Sequence, residues 1–265
     1  ILEKAWQPGT KQARYIYNWK LDSQGNPLVW FYYFKIHTRQ DFVWKNPVHE
    51  YLEYTGRDYR VIWIDDIVLN HYPDPQKSRS NYLPLLELSV QENPDDDRSW
   101  YYLGREYMYW EQLDKSIQTL QHYLKLEERF PQERCAAMRD IAKCYLNKSD
   151  YYNAYKYYIM AIAQCPYMRE PYVELALAAY YNKDYPTVFF MAEQAQKITQ
   201  KSKTYINQSY AWDCTLPDIA AIACFELKLY DRAYHYAKLA YELNPNDPRI
   251  QKNYQLIKQY HTQNN

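Results

Sequence analysis

The chain has 265 residues, 32 basic and 32 acidic, and a formal net charge of zero; it can bury a sizeable core as one large or two small domains, and no whole-molecule field draws it to nucleic acid or to an anionic membrane. Its five cysteines, Cys135, Cys144, Cys165, Cys214 and Cys224, form no CxxC pair and are odd in number, which argues against a disulfide framework or a Cys-based zinc site and fits a reducing, cytoplasmic setting. Glycine is confined to Gly9, Gly25, Gly56 and Gly104, so neither GxGxxG nor GxxxxGK[ST] can be written and phosphate cradling by a glycine-rich loop is excluded.

The start, "ILEKAWQPGT", lacks the basic and apolar regions of a signal peptide, and no apolar run approaches the ~20 residues needed to span a bilayer. Its first residue is Ile rather than Met, which points to a processed or truncated product. Residues 13–20 ("ARYIYNWK") and 28–35 ("LVWFYYFK") are aromatic and β-branched around the turn material "LDSQGNP", a hairpin signal. After "FVWKNPVHEYLEY" (42–54), a third such run, "RVIWIDDIVLNHY" (60–72), ends in "YPDPQKS", whose two prolines break the pattern. About eighty residues therefore predict a small mixed sheet, too thin to cover both of its faces. The acids of "IDD" at 64–66 read as strand-end residues.

From residue 77 onward the hydrophobic period changes to about 3.6, and self-similarity appears near the ~34-residue spacing of tetratricopeptide repeats. The first repeat, 97–128, carries Trp100, Leu103, Gly104 and Tyr107, then Ser116, Leu120 and Tyr123. Ile141, Ala142 and Tyr145 lead to Ala154, Tyr158, Ala161 and Pro166 in the second. In the third, Tyr172, Leu175 and Ala176 lead to Val188, Ala192 and Ala195, and in the fourth Ala220 and Ala221 lead to Ala233, Ala237, Ala240 and Pro245. Small residues where helices cross let the pairs stack into a solenoid with a shared core. Residues 80–93 predict a capping half-repeat, and "NDPRIQKNYQLIKQY" predicts a closing helix with Asp247 as N-cap and Pro248 at its first position. Plain repeats do not require the ten residues "TYINQSYAWD" (204–213). The expected fold is mainly α: a small mixed β-rich segment over 1–76, then a tetratricopeptide α-solenoid over 77–265.

In this repeat type the first helix of each pair lines the concave groove. The positions expected there are Arg98, Tyr101, Arg105 and Tyr109, then Arg139 and Lys143, followed by Val173, Leu177, Tyr180, Tyr181, Asp218, Ile222 and Phe225. Arginine forks bind phosphate or carboxylate and Tyr faces stack on sugars or side chains, so a protein, peptide or glycan acceptor with an acidic end would fit; the other reading is a solvated face. Trp212 and Asp213 either reach over the groove or plug a seam. At "HEYLEY", spacing alone favours a short solvated helix beginning at Glu50, with His49 capping it or packing on Trp44.

Five stretches in order, "WKNPVHEYLEY", "HYPDPQKSRSNYLPLLEL", "DDRSWYYLGREYMY", "REPYVELAL" and "TYINQSYAWDCT", resemble bacterial family 2 glycosyltransferases in which a GT-A catalytic domain runs into C-terminal tetratricopeptide repeats. The resemblance implies that 1–76 is the acceptor-side end of such a domain and that the protein moves a sugar from a nucleotide-sugar to a protein or polysaccharide, with a divalent metal (Mn or Mg) offsetting charge on the departing diphosphate. It also implies His49 as a metal or diphosphate contact, Glu50 as base or acceptor contact, and His71 as a weaker metal ligand. The nucleotide-binding half and the DxD-type motif of that family do not occur in this sequence. The alternative is a non-catalytic tetratricopeptide scaffold.

Overall fold

The computed structural model describes residues 1–74, 76, 81–127 and 130–264. It divides into two compact units, the first comprising 1–127 with 203–206, the second 128–202 with 207–265. The division falls inside the helical array, between its first and second helix pairs. The expected change at 76/77, and Ser80 as the start of the capping half-repeat, adjoin or lie outside the described residues.

The first unit opens with a four-residue helix, α1 (Leu2–Ala5), and the strands β1 (Thr10–Leu21) and β2 (Pro27–His37), which pair antiparallel. The turn between them forms because the Asp22 carboxylate accepts from the backbone N–H groups of Gln24 and Asn26, both at 2.8 Å, while Gly25 takes φ of 86°, a left-handed conformation that costs glycine little. Two short strands follow, β3 (Phe42–Lys45) and β4 (Tyr51–Tyr54), themselves an antiparallel pair. The solvated helix expected at "HEYLEY" is therefore a strand. Asn46 and His49, with φ of 67° and 53°, reverse the chain, and the following residues alternate across the pair, with Leu52 buried opposite Trp44 and Glu53 bridging Lys45 at 3.1 Å.

β5 (Arg60–Asn70) then joins β1 in parallel, giving the order β2-β1-β5, the mixed sheet expected. Its register jumps from Tyr15↔Ile64 to Ile16↔Val68, so Asp65 and Asp66 form a bulge within the strand rather than its end. Tyr32 donates to Asp65 at 2.6 Å. Helices α2 (Tyr82–Glu92), α3 (Asp97–Tyr109) and α4 (Leu113–Tyr123) complete the unit. Leu86 and Val90 of α2 pack with Leu103 and Tyr107 of α3 and with Val48 of the β3–β4 turn. α3 and α4 cross at Gly104, whose carbonyl accepts from the Ser116 hydroxyl at 2.8 Å.

The second unit contains α5 (Pro131–Asn147), α6 (Tyr151–Gln164), α7 (Glu170–Tyr181), α8 (Tyr185–Gln196), a 3-10 turn (Ser209–Ala211), α9 (Thr215–Glu226), α10 (Tyr230–Leu243) and α11 (Pro248–Asn264). Asp150 and Asp184 cap α6 and α8 by accepting from the backbone of Asn153 and Thr187, and Asp247 does the same for α11. The turns inside the helix pairs repeat one device, a non-glycine residue with φ of 56° to 60° at Glu111, Ser149, Lys183 and Lys228. From Ser149 to Lys183 is 34 residues, one repeat; from Lys183 to Lys228 is 45, one repeat plus the inserted segment. The core is built on Ala176, Ala192, Ala195, Ala220, Ala233 and Ala237, which admit close helix approach. No described helix is long and apolar enough to cross a membrane.

Candidate functional site

The His49–Glu50 dyad sits where the β3–β4 turn is clamped to the start of α3. The Asn46 amide donates to Asp96, the N-cap of α3, at 3.0 Å, and Arg98 Nε donates to the His49 carbonyl at 3.3 Å. The His49 ring stacks on Tyr102 at 3.9 Å and 10°, with Tyr82 at 5.5 Å. It does not pack on Trp44, which lies exposed under the Lys35 ammonium at 4.1 Å. Glu50 is exposed and its charge acts on Tyr33 and Lys35 of β2: burial raises the Tyr33 pKa and Glu50 raises it further, whereas burial lowers that of Lys35 and Glu50 partly offsets this. Arg98 stacks over Tyr102 and Tyr51 at 4.9 and 5.8 Å. One carboxylate and two cations thus meet on an aromatic bed.

His71 lies apart from this arrangement, stacked on Trp19 at 4.4 Å with Nδ1 3.2 Å from the Trp19 carbonyl oxygen. Among the described residues no three His, Cys, Asp or Glu side chains come together in a way that could hold a metal ion, so neither His49 nor His71 belongs to a donor set fitting the metal that the resemblance implies.

The remaining residues expected in the groove divide sharply. Tyr101 is 1% exposed, packed on Tyr123 with the Arg105 guanidinium over its ring at 5.4 Å; it is core. Arg105 and Tyr109 are exposed on α3. In the second unit Arg139, expected as a free groove cation, is 1% exposed and donates twice to Glu174 of α7, Nε to Oε2 at 3.0 Å and Nη2 to Oε1 at 2.6 Å. Lys143 bridges Asp140 and Glu174, both at 3.2 Å, and the Tyr210 hydroxyl donates to Glu174 Oε1. Burial pushes the Glu174 carboxyl up, but Arg139, Lys143 and the bonds from Arg139 and Tyr210 outweigh it and hold the pKa at about 2. In the second unit the two cations expected to receive an acidic partner, Arg139 and Lys143, are already engaged with acids of the protein.

This network adjoins an open pocket of about 220 Å³ lined by Lys143 and Leu146 of α5, Tyr158 of α6, Glu174, Leu177, Ala178 and Tyr181 of α7, and Tyr210 of the inserted segment. That segment is bound down on α7: the Gln208 N–H donates to Glu170 at 3.1 Å, and Arg169 lies over the Trp212 ring at 4.6 Å. Trp212 packs against the alanine-rich core with its indole nitrogen buried, and Asp213 accepts from the N–H of Thr215 at the start of α9.

Sequence reasoning named Lys143, Leu177 and Tyr181 as groove residues and Tyr158 as a packing position, but missed Glu174 and Tyr210. A signal existed: Arg139 and Glu174 each interrupt the apolar run of a first helix, carry opposite charges, and stand 35 residues apart, about one repeat.

No family model matches the chain, and no curated protein matches it. Among solved structures, the crystal structure of MamA aligns at TM-score 0.52 and 16% identity over 66% of this chain and 97% of that one. The MamA RS-1 ArsTM double mutant aligns at 0.50 and 16% identity, over 64% and 87%. Cut9, in the APC/C heterotetramer Cut9–Hcn1, aligns at 0.50 and 16% identity, over 69% of this chain and 33% of that one. The helical array is a tetratricopeptide α-solenoid. At this identity the likeness establishes the fold alone, and none of these likenesses is to a glycosyltransferase.

Proposed function

We propose that the protein is an interaction module whose tetratricopeptide solenoid binds a segment of a partner protein. The carrying observation is the open, largely apolar and aromatic pocket on the first helices α5 and α7 of the second unit, on the side that solenoids of this type present to partners. The test is affinity selection of a randomised peptide library on the whole chain, followed by titration of the selected peptides against two variants. Ile222→Glu, on the first helix α9, is expected to weaken binding at least tenfold; Tyr152→Glu, at an exposed position in the first turn of α6, is expected to leave it unchanged. The reverse pattern overturns the reading.

A second, finer reading is favoured by the clamped His49–Glu50 turn beside Lys35 and Arg98, together with the order of the motifs: residues 1–76 would be the acceptor-side end of a GT-A domain, and the repeats would hold the protein, peptide or glycan that receives the sugar. The nucleotide-sugar and divalent metal would then need ligands from outside the described residues. Its test is whether the reading frame upstream of Ile1 encodes a nucleotide-binding α/β segment with a DxD-type motif, and whether Glu50→Gln in the resulting protein abolishes sugar transfer. Undiminished transfer removes Glu50 from the mechanism.

A further inference from the structure

We propose that the pocket between α5 and α7 is a specificity pocket for one bulky, uncharged, apolar or aromatic side chain of the partner segment, with the inserted segment supplying one of its walls. This rests on the peptide-binding reading above and names what that surface selects.

Size is the first reason. At about 220 Å³ the pocket falls below the roughly 300–1,000 Å³ of sites that enclose whole small molecules, so it suits a single anchoring side chain.

Its lining is the second. Leu146, Leu177 and Ala178, with the residues Tyr158, Tyr181 and Tyr210, offer apolar and ring surface. Tyr181 is 75% exposed, with its ring edge-on to Tyr180 at 5.8 Å, so most of the ring is open to an incoming group. Aromatic faces prefer offset or edge-on contacts with other rings, which adds to the gain from area alone.

Charge is the third and decides the class. The cations Arg139 and Lys143 are matched by Asp140 and Glu174. Arg139 engages both oxygens of Glu174, and the Lys143 ammonium is shared between the two acids. Two of the three Lys143 N–H donors are used on Asp140 and Glu174, and a partner carboxylate reaching for the third would stand beside both of those acids, while a partner ammonium would meet a Glu174 already saturated by Arg139, Lys143 and Tyr210. Either charge would lose its hydration for little return. A neutral apolar side chain loses none. At this pocket the acidic group expected from Arg139 and Lys143 gives way to an apolar one.

Tyr210 connects the pocket to the irregularity in the repeat spacing. Its hydroxyl holds Glu174 while its ring lines the cavity, so the segment that no repeat requires shapes the pocket wall.

The experiment uses the whole chain and a phage-displayed library of randomised heptapeptides. The expected result is enrichment of Phe, Trp, Leu or Met at one fixed position. Synthetic versions of those peptides should bind Tyr181→Ala and Leu177→Asn at least tenfold more weakly than the parent, and replacing the anchor by Glu or Lys should cost at least as much. Tyr181 is a surface residue, so its variant reports on binding even if Leu177→Asn disturbs the helix. An acidic or basic consensus, or unchanged affinity for both variants, overturns the pocket assignment while leaving the peptide-binding reading standing. Failure of any library peptide to bind overturns both.

Discussion

The two units of this protein bury their side chains by opposite means. In the second, every helix satisfies its own backbone, so the crossings can be filled by alanines that are almost wholly buried, and the buried cation Arg139 enters as part of a matched network around Glu174. In the first, a three-stranded sheet carries large aromatics on both faces, stacked as Tyr17 on Tyr33 at 4.7 Å and bridged by cations such as Arg14 over Trp63 at 4.9 Å, yet Trp63, and Trp44 of the β3–β4 pair, remain more than half exposed. A thin sheet cannot cover two faces, whereas a solenoid covers each helix pair with the next. Stability should therefore respond sharply to single atoms in the second unit and weakly to whole rings on the sheet surface.

The largest effect is expected from Glu174→Ala. It strands Arg139 as an uncompensated buried charge and should cost about 3–5 kcal/mol by urea unfolding; a loss below about 1 kcal/mol would mean the network is not built as described. Acid should act on the same group. The folded carboxyl is held at about 2 against an ordinary 4.5, so its stabilisation is complete above pH 4.5 and drains away as pH falls toward 2, about 3 kcal/mol in all. Carbon NMR of the Glu174 carboxyl should show no titration between pH 6 and 3, and an inflection near 4.5 would contradict the pairing.

Next is Gly104→Ala. A Cβ there would lie 2.5 Å from the Cγ and Cδ2 atoms of Leu120, which is fully buried, so overpacking should cost about 1–3 kcal/mol in thermal or urea unfolding. This sharpens the comparison, because it places one close helix crossing in the first unit too. The smallest effect is expected from Trp44→Ala. That ring is exposed and is engaged by the Lys35 ammonium, so its removal should change stability by about 0.5 kcal/mol. A loss comparable to that from Gly104→Ala would show that the sheet surface is packed more firmly than its exposure indicates.

Much of the architecture was legible because it depends on neighbours in sequence. The β1–β2 hairpin follows from alternating aromatics around Asp22 and Gly25, the α11 start from Asp247 and Pro248, and the stacked pairs from small residues spaced along each helix. The dyad was visible as a pair, but its setting was not: "HEYLEY" suits a short helix by spacing, and the turn held on α3 by Asn46 and Arg98 makes the following residues a strand. The groove residues were placed on the correct helices, yet the bonds that bury Arg139 and leave Arg105 exposed lie across separate elements.

The sequence by itself determined where the β1–β2 hairpin, the repeat helices and the start of α11 fall, that a repeat of about 34 residues organises the array, and that an extra segment interrupts it. Those features rest on local backbone preference and side-chain periodicity. Tertiary structure alone decided that Arg139 and Glu174 neutralise each other, that Tyr210 returns to complete their network, and that a pocket is left beside it. Such choices depend on how one helix is rotated against the next, and that rotation is set by packing between residues a full repeat apart.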